Sequence, residues 1–112
     1  MRAARALLEA QHELIDTALR YKEEDLELAR DFGAKYREQL LRACAMPGSG
    51  HLIAGLPQEI DFEIRRFLFR RFKHVLYVAV LPAEVVVLAV AHQHQKPFYW
   101  MKRLAKVKPT QR

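Results

Sequence analysis

The residues best suited to chemistry in this chain are two arginine pairs in its second half. The cations of this segment are Arg65, Arg66, Arg70, Arg71 and Lys73. Between positions 63 and 73 the only carboxylate is Glu63. A guanidinium group forms fork-shaped hydrogen bonds with carboxylates and phosphates, and it is rarely buried without such a partner. The four arginines cannot all be paired locally, so the segment predicts a surface that binds an acidic partner.

The histidines and aromatic residues near the end of the chain could supply proton transfer. Metal-free RNA cleavage needs a base for the 2′-hydroxyl, an acid for the leaving oxygen, and cations around the phosphorus. The candidate catalytic residues are His92, His94, Tyr99, Arg70 and Arg71. A histidine that closes a buried strand is more often a hydrogen-bonded structural residue, so catalysis by His92 stays an alternative.

Metal binding is not predicted. His74, His92 and His94 have no carboxylate or thiolate partner at the spacing of a metal site. The single cysteine, Cys44, lies on the apolar stripe of a predicted helix, as is typical of a small core residue. We therefore expect no metal and no cofactor.

The whole chain has a net charge of +6, and its positive charge is concentrated in the second half. Residues 1–40 carry nine acids and seven bases, whereas residues 62–112 carry two acids against eleven lysines and arginines. This asymmetry indicates a polyanionic partner, either nucleic acid or an acidic protein segment. A basic surface that only keeps the protein soluble is the alternative.

The length of 112 residues predicts a single domain, and the 51% hydrophobic content predicts a globular one. One cysteine excludes an intramolecular disulfide and favours a cytoplasmic location. The N-terminus lacks the pattern of a signal peptide. The apolar run 75–91 is interrupted by Pro82 and Glu84, so we expect strands there and no membrane span.

Two β-branched apolar runs must position the candidate residues. Val75–Leu81 and Val85–Ala91 are joined by only three residues, which predicts adjacent antiparallel strands. Ile64–Phe72 is predicted as a third strand. Together they form a sheet over about residues 62–93.

Alternation along the third strand decides which arginines share a face. Arg65, Phe67, Phe69 and Arg71 would point one way, because successive side chains of a strand point to opposite faces. Our hypothesis is that Arg65 and Arg71 face a partner, with Phe67 and Phe69 as an aromatic floor between them. Arginines on the helix side would pair with Glu24, Glu27 or Asp31.

Helical periodicity fills the first half of the chain. Apolar residues recur at helical spacing over about residues 12–46, in two stretches with Asp25 as the N-cap between them. Residues 1–10 fit either an edge strand or a helical lead-in. Residues 47–61 form a loop, and residues 94–112 add a helical turn or two before a basic tail.

The predicted fold class is α+β, with two N-terminal helices packed on a small curved antiparallel sheet. The other face, or an exposed edge, is free for a partner.

The order of these motifs resembles the ParE branch of the RelE/ParE toxin superfamily. The resemblance covers about His12 to Trp100 and is carried by the segments IRRFLFRRFKHVLYVAV, VVVLAVAH and KPFYW. Members of the superfamily are the toxic halves of bacterial type II toxin–antitoxin (plasmid-stabilisation) pairs. The resemblance therefore implies a cognate antitoxin, which we expect to be acidic and partly disordered.

The superfamily implies one of two activities. RelE-type members cut mRNA on the ribosome with a metal-free cluster of lysines and arginines, and ParE-type members inhibit DNA gyrase. The Lys-x-Lys pair of the nucleases is absent here, and His94-Gln95 stands where paired arginines are usual. The resemblance favours a ParE-like gyrase inhibitor, with a ribosome-dependent endoribonuclease as the alternative. A small basic nucleic-acid-binding module is a third possibility.

The residues predicted to contact the target or the antitoxin lie on the arginine-rich strand and after the last strand. They are Arg65, Arg66, Arg70, Arg71, Lys73, His94, Lys96, Tyr99 and Trp100.

Overall fold

A helical hairpin forms the first half of the protein. The computed structural model describes residues 1–56 and 58–108 and contains α1 (Leu8–Glu24) and α2 (Leu26–Ala45). Asp25 is the predicted N-cap, and its carboxylate accepts a hydrogen bond from the Glu27 amide at 3.0 Å. α2 ends before the 3-10 turn Pro47–Ser49, in agreement with the Pro-Gly signal. Neither helix is both long and apolar enough to cross a membrane.

A five-stranded mixed sheet follows in the order β1-β5-β4-β3-β2. Its strands are β1 (Ala3–Ala6), β2 (His51–Leu52), β3 (Glu63–Leu68), β4 (His74–Val80) and β5 (Glu84–His92). β3 pairs antiparallel with β4, and β4 with β5, as predicted. β2 lies in the segment that was predicted as a loop, and it pairs antiparallel with β3. The prediction of a purely antiparallel sheet is wrong at one edge. There β1 pairs parallel to β5, with Ala3 opposite Glu84. The helical hairpin lies between these two strands in the sequence, and a crossover of this length permits parallel pairing.

The arginine-rich strand is shorter than predicted. β3 ends at Leu68, and the amide of Phe69 donates to the carbonyl of His74 at 3.1 Å, which closes a tight connection to β4. Arg71 has a φ of 70°, a left-handed conformation that a strand does not adopt. Arg70 and Arg71 therefore lie in a turn, and the predicted alternation does not reach them.

The two helices cover one face of the sheet. Phe67 and Phe69 are 3% and 2% exposed and belong to this helix-side core. Phe69 packs edge-to-face on Phe32 of α2 at a ring distance of 5.4 Å. The hypothesis of an exposed aromatic floor is therefore wrong, since this side of β3 faces the helices. Cys44 is buried in the same core, as predicted, and burial raises the pKa of its thiol.

The chain itself covers the opposite face of the sheet. The C-terminal segment, residues 98–107, lies on that face and includes the predicted helical turns as the 3-10 helix Met101–Lys106. The buried residues of this second core include Ile64, Leu88, Trp100, Leu104 and Val107, with Ile53, Leu56, Ile60 and Phe62 packed against them. The prediction that this face is free for a partner is wrong, because the C-terminal segment covers it. The predicted basic tail, 109–112, lies outside the described residues.

Candidate functional site

One end of the sheet gathers most of the exposed cations that the sequence singled out. The turn between β3 and β4 lies beside the segment that follows β5, because the amide of Gln93 donates to the carbonyl of Lys73 at 2.9 Å. We call this surface the basic end; its exposed residues are Arg70, Arg71, Lys73, His94 and Lys96. Among the described acids, only Asp31 forms an ion pair here, at 3.6 Å from Arg71. The Arg71 side chain is 77% exposed, so this ion pair is weak, and it offsets only one of the positive charges.

The other two arginines are separated by the pleat of β3. Arg65 lies on the helix side, where Nη1 donates to the carbonyl of Gly50 at 2.8 Å and Nε to Glu63 at 3.1 Å. Its side chain is only 17% exposed, so the hypothesis that Arg65 faces a partner is wrong. Its hydrogen bonds hold the loop after α2 against the sheet. Arg66 points to the opposite side and lies across from Tyr77 of β4.

Tyr99 and Trp100 belong to the interior instead of a binding surface. Trp100 is 1% exposed and packs against Tyr77 at a ring distance of 5.2 Å. The Tyr99 hydroxyl donates to Oε2 of Glu13 at 2.8 Å. Burial, and then this bond, raise the pKa of Tyr99. We correct their assignment as contact residues because both anchor the C-terminal segment to the second face of the sheet.

Glu13 is the residue that sequence reasoning missed. Its Oε1 accepts from the amide of Val90 at 3.0 Å, and both carboxylate oxygens accept from Arg103. Although burial opposes it, the hydrogen bond to Glu13 raises the pKa of Arg103. A signal was present in the sequence: Glu13 lies between Ala10 and Thr17 on the stripe of α1 that faces the core, where a carboxylate needs partners.

Three histidines line up where β4 and β5 meet the basic end. His74 and His92 are paired across the two strands with ring centroids 5.2 Å apart, and His94 lies 5.0 Å beyond His92. The amide of His94 donates to Nδ1 of His92 at 3.1 Å. In this bond Nδ1 of His92 is the acceptor. No group of three or more potential metal ligands occurs within residues 1–56 and 58–108.

His74 is buried and neutral near pH 7. It is 5% exposed, and its Nδ1 has no hydrogen-bond partner. Burial, together with the charges of His92 and Arg20, lowers the pKa of His74 to about 4. His74 therefore cannot donate a proton as an imidazolium at neutral pH.

A cleft of about 570 Å³ opens between α1 and the ends of β4 and β5. This volume is within the range of small-ligand sites. Its lining residues are Glu13, Asp16, Thr17, Arg20, Tyr21, Glu24, His74, Val90, His92 and Gln95. We call it the histidine cleft. Sequence reasoning identified its histidines but missed the α1 wall.

The candidate catalytic set is brought together only in part. His92 and His94 lie beside the turn that carries Arg70 and Arg71. Tyr99 does not join them, since its hydroxyl is bonded to Glu13. The arrangement offers cations and one histidine pair, but the predicted phenol of Tyr99 is not part of it.

The fold is similar to that of a solved toxin–antitoxin structure. A chain described as "Chromosomal ParDE TA system from P. aeruginosa" superposes with a TM-score of 0.63 at 18% sequence identity, over 82% of this chain and 96% of that chain. At this identity the likeness shows the fold alone, and it confirms the fold that the sequence resemblance implies. The sequence matches no protein-family model and no curated protein.

Proposed function

We propose that this chain is the toxin of a bacterial toxin–antitoxin pair and that it inhibits DNA gyrase by binding it. The antitoxin would cover the same surface and hold the toxin inactive. The observation that carries the proposal is the basic end, where Arg70, Lys73 and Lys96 are exposed without any described acid as ion-pair partner. The likeness to a ParDE chain supports the same assignment.

The chemistry of the basic end specifies the antitoxin segment. Several exposed cations without partners favour an acidic peptide, and such a peptide is disordered until it binds. A second surface would lie under the same partner: Leu8, Ile15 and Leu19 are 62%, 53% and 52% exposed along one stripe of α1. Exposed apolar stripes of this kind mark binding sites for partner segments. An acidic, amphipathic antitoxin segment matches both surfaces.

Binding explains this surface better than catalysis does. Tyr99 is held inside by Glu13, and His74 is neutral and buried. Arginines at a protein interface recognise carboxylates through paired hydrogen bonds and contribute to affinity without any proton transfer. The exposed cations at the basic end have the properties that such an interface needs.

Ribosome-dependent mRNA cleavage is the second candidate. One observation favours it: His92 and His94 lie 5.0 Å apart beside Arg70 and Lys73, so a base and several cations share one surface. In this candidate mechanism the exposed His94 takes the proton of the 2′-hydroxyl, and the cations stabilise the phosphorane.

Inducible expression in bacteria, combined with two biochemical assays, separates the candidates. We expect growth arrest, loss of gyrase supercoiling activity in the presence of purified protein, and no codon-phased cuts in primer extension. Arg70→Ala/Lys73→Ala should relieve the arrest, whereas Arg42→Ala/Lys102→Ala removes the same charge from other exposed positions and should not. Codon-phased cuts with unaffected gyrase would transfer the assignment to the nuclease. Unaffected growth, gyrase and mRNA would reject both.

A further inference from the structure

The histidine cleft has the shape and polarity of a binding site, and the proposed gyrase and antitoxin contacts do not use it. Its inner wall is formed by His74 and Val90, both at most 5% exposed, and its outer wall by one side of α1. The fold supplies no hydrogen-bond partner for Nδ1 of His74. An unpaired polar atom in the interior is costly, and a functional role is one of the reasons that native proteins retain one.

The charges around the cleft are unbalanced towards negative. Glu13 is neutralised by Arg103, with which it shares two hydrogen bonds. Asp16 and Glu24 form no ion pair with any residue in the described ranges, 1–56 and 58–108, and Arg20 is the only arginine or lysine in the lining. Two free carboxylates and one cation leave one uncompensated negative charge at the opening. Within the lining itself, this imbalance favours a cationic ligand over an anionic one.

The other polar groups of the cleft are mostly acceptors or can act as acceptors. The Thr17 hydroxyl already accepts from Arg20 at 3.4 Å, and Oε1 of Gln95 accepts from the His92 amide at 2.8 Å. Each oxygen has a second lone pair for a ligand, and His74 is neutral. Tyr21 adds an aromatic side chain to the lining, and aromatic rings attract cations through their ring electrons. Carboxylates at the opening, acceptors along the walls and an aromatic ring are the features that recognise a guanidinium or ammonium group on an alkyl chain.

We propose that the histidine cleft binds an alkylguanidinium or alkylammonium group, with Asp16 and Glu24 as its charge partners. The group belongs either to a basic side chain of a partner polypeptide or to a free small cation.

Titration of the full-length protein with two monovalent probes tests this site. N-acetyl-arginine methylamide represents a polypeptide side chain, and propylguanidinium represents a free cation. We expect saturable NMR shifts of the Val90, His92 and Gln95 backbone amides. Equal or tighter binding of the arginine derivative identifies a polypeptide ligand, and binding of propylguanidinium alone identifies a free cation. The absence of saturable shifts with both probes overturns the site.

Charge-matched variants show whether the carboxylates of the cleft are responsible. Asp16→Asn/Glu24→Gln should reduce probe affinity by roughly two- to thirtyfold, because two partly exposed charge pairs are lost. Glu23→Gln/Glu38→Gln removes the same charge from exposed positions outside the cleft and should leave affinity unchanged. Equal weakening in both double variants, or tighter binding of propionate than of propylguanidinium, overturns the assignment. Folding of each variant is verified by its thermal unfolding curve.

Discussion

Arg103 and Glu13 meet at the edge of β5 and link the two faces of the sheet. Their side chains form two parallel hydrogen bonds, Nη1–Oε1 at 2.9 Å and Nη2–Oε2 at 3.0 Å. Glu13 comes from α1 on one face, and Arg103 comes from the C-terminal segment on the other. Each also binds the backbone of β5, Arg103 at the carbonyl of Leu88 and Glu13 at the amide of Val90.

A β-bulge and the end of β1 leave positions of β5 without a full set of strand neighbours. Tyr77 pairs with Ala89 and Val78 with Val87, so Leu88 has no partner on β4. β1 ends at Ala6, opposite Val87, and leaves the rest of this edge without a neighbouring strand. The two side chains thus satisfy backbone groups that would otherwise be unpaired.

We expect Arg103→Met to destabilise the protein by roughly 2–4 kcal/mol, since it leaves Glu13 partly buried without its charge partner. The Arg103 side chain is 16% exposed, which is why the cost is below that of full burial. The double variant Glu13→Met/Arg103→Met should recover part of the loss, because it removes the orphaned charge. Urea denaturation measures both.

Arg30→Met is the control for this pair. Arg30 contacts Glu27 at 2.9 Å, but both side chains are at least 67% exposed. Its loss should cost less than about 0.5 kcal/mol. An equal cost at positions 30 and 103 would show that the Glu13–Arg103 contact contributes nothing particular to stability.

Gly50 provides a test of how the loop after α2 packs on β3. A Cβ at Gly50 would lie 2.5 Å from Cζ of Phe67, a ring in the core that cannot withdraw. We expect Gly50→Ala to cost about 1–3 kcal/mol through overpacking. At Gly48 a Cβ would meet nothing within 4 Å, so Gly48→Ala should be neutral or stabilising by up to about 1 kcal/mol. Thermal unfolding distinguishes the two, and similar midpoints would contradict this packing.

The strongly patterned elements could be predicted from the sequence. β4 and β5 are continuous β-branched runs, and the Asp25 cap is a short-range signal, so local physics determines both. The end of β3 could not be predicted in this way. Phe69 to Phe72 continue the alternation, and Arg71 adopts a left-handed conformation without the glycine or asparagine that usually marks one.

The surface residues were harder to predict than the elements. Arg70, Lys73 and Lys96 were predicted as contact residues, and all three are exposed; their contact with a partner stays a prediction. Tyr99 and Trp100 were misplaced, because their burial depends on the C-terminal segment packing back onto a distant face of the sheet. Such long-range packing leaves no periodic signal in a segment this short.

Acid should destabilise the protein through His74. Its pKa is lowered from 6.5 to about 4 by burial, so the unfolded chain binds a proton at a higher pH than the folded protein does. The His74 contribution is absent above pH 6.5 and grows as the pH falls to about 4, where it reaches about 3 kcal/mol of lost stability. His74→Phe should flatten this part of the pH profile, as measured by urea denaturation between pH 7 and pH 4.

His12→Gln is the matched control for the acid effect, since His12 is exposed on α1. It should keep the slope of the unaltered protein. If His74→Phe keeps the slope as well, other groups cause the acid sensitivity and the burial of His74 has no part in it.

The arginines should separate into a structural and a binding class. Arg65→Ala removes three hydrogen bonds, to two carbonyl oxygens and one carboxylate, and a packed stem, so we expect a loss of roughly 1–3 kcal/mol in unfolding free energy. Arg70 is exposed and has no ion pair among the described residues, so Arg70→Ala should change stability by less than about 0.5 kcal/mol. Its effect should instead be on growth arrest and on antitoxin affinity. We expect the free energy of antitoxin binding to weaken by roughly 2–5 kcal/mol if the complex buries the charge pair.

Thermal unfolding and calorimetric titration with the antitoxin measure stability and binding on the same samples. Should Arg65→Ala weaken binding without loss of stability, or Arg70→Ala cost stability without loss of binding, the division of the arginines between the interior and the basic end would be wrong.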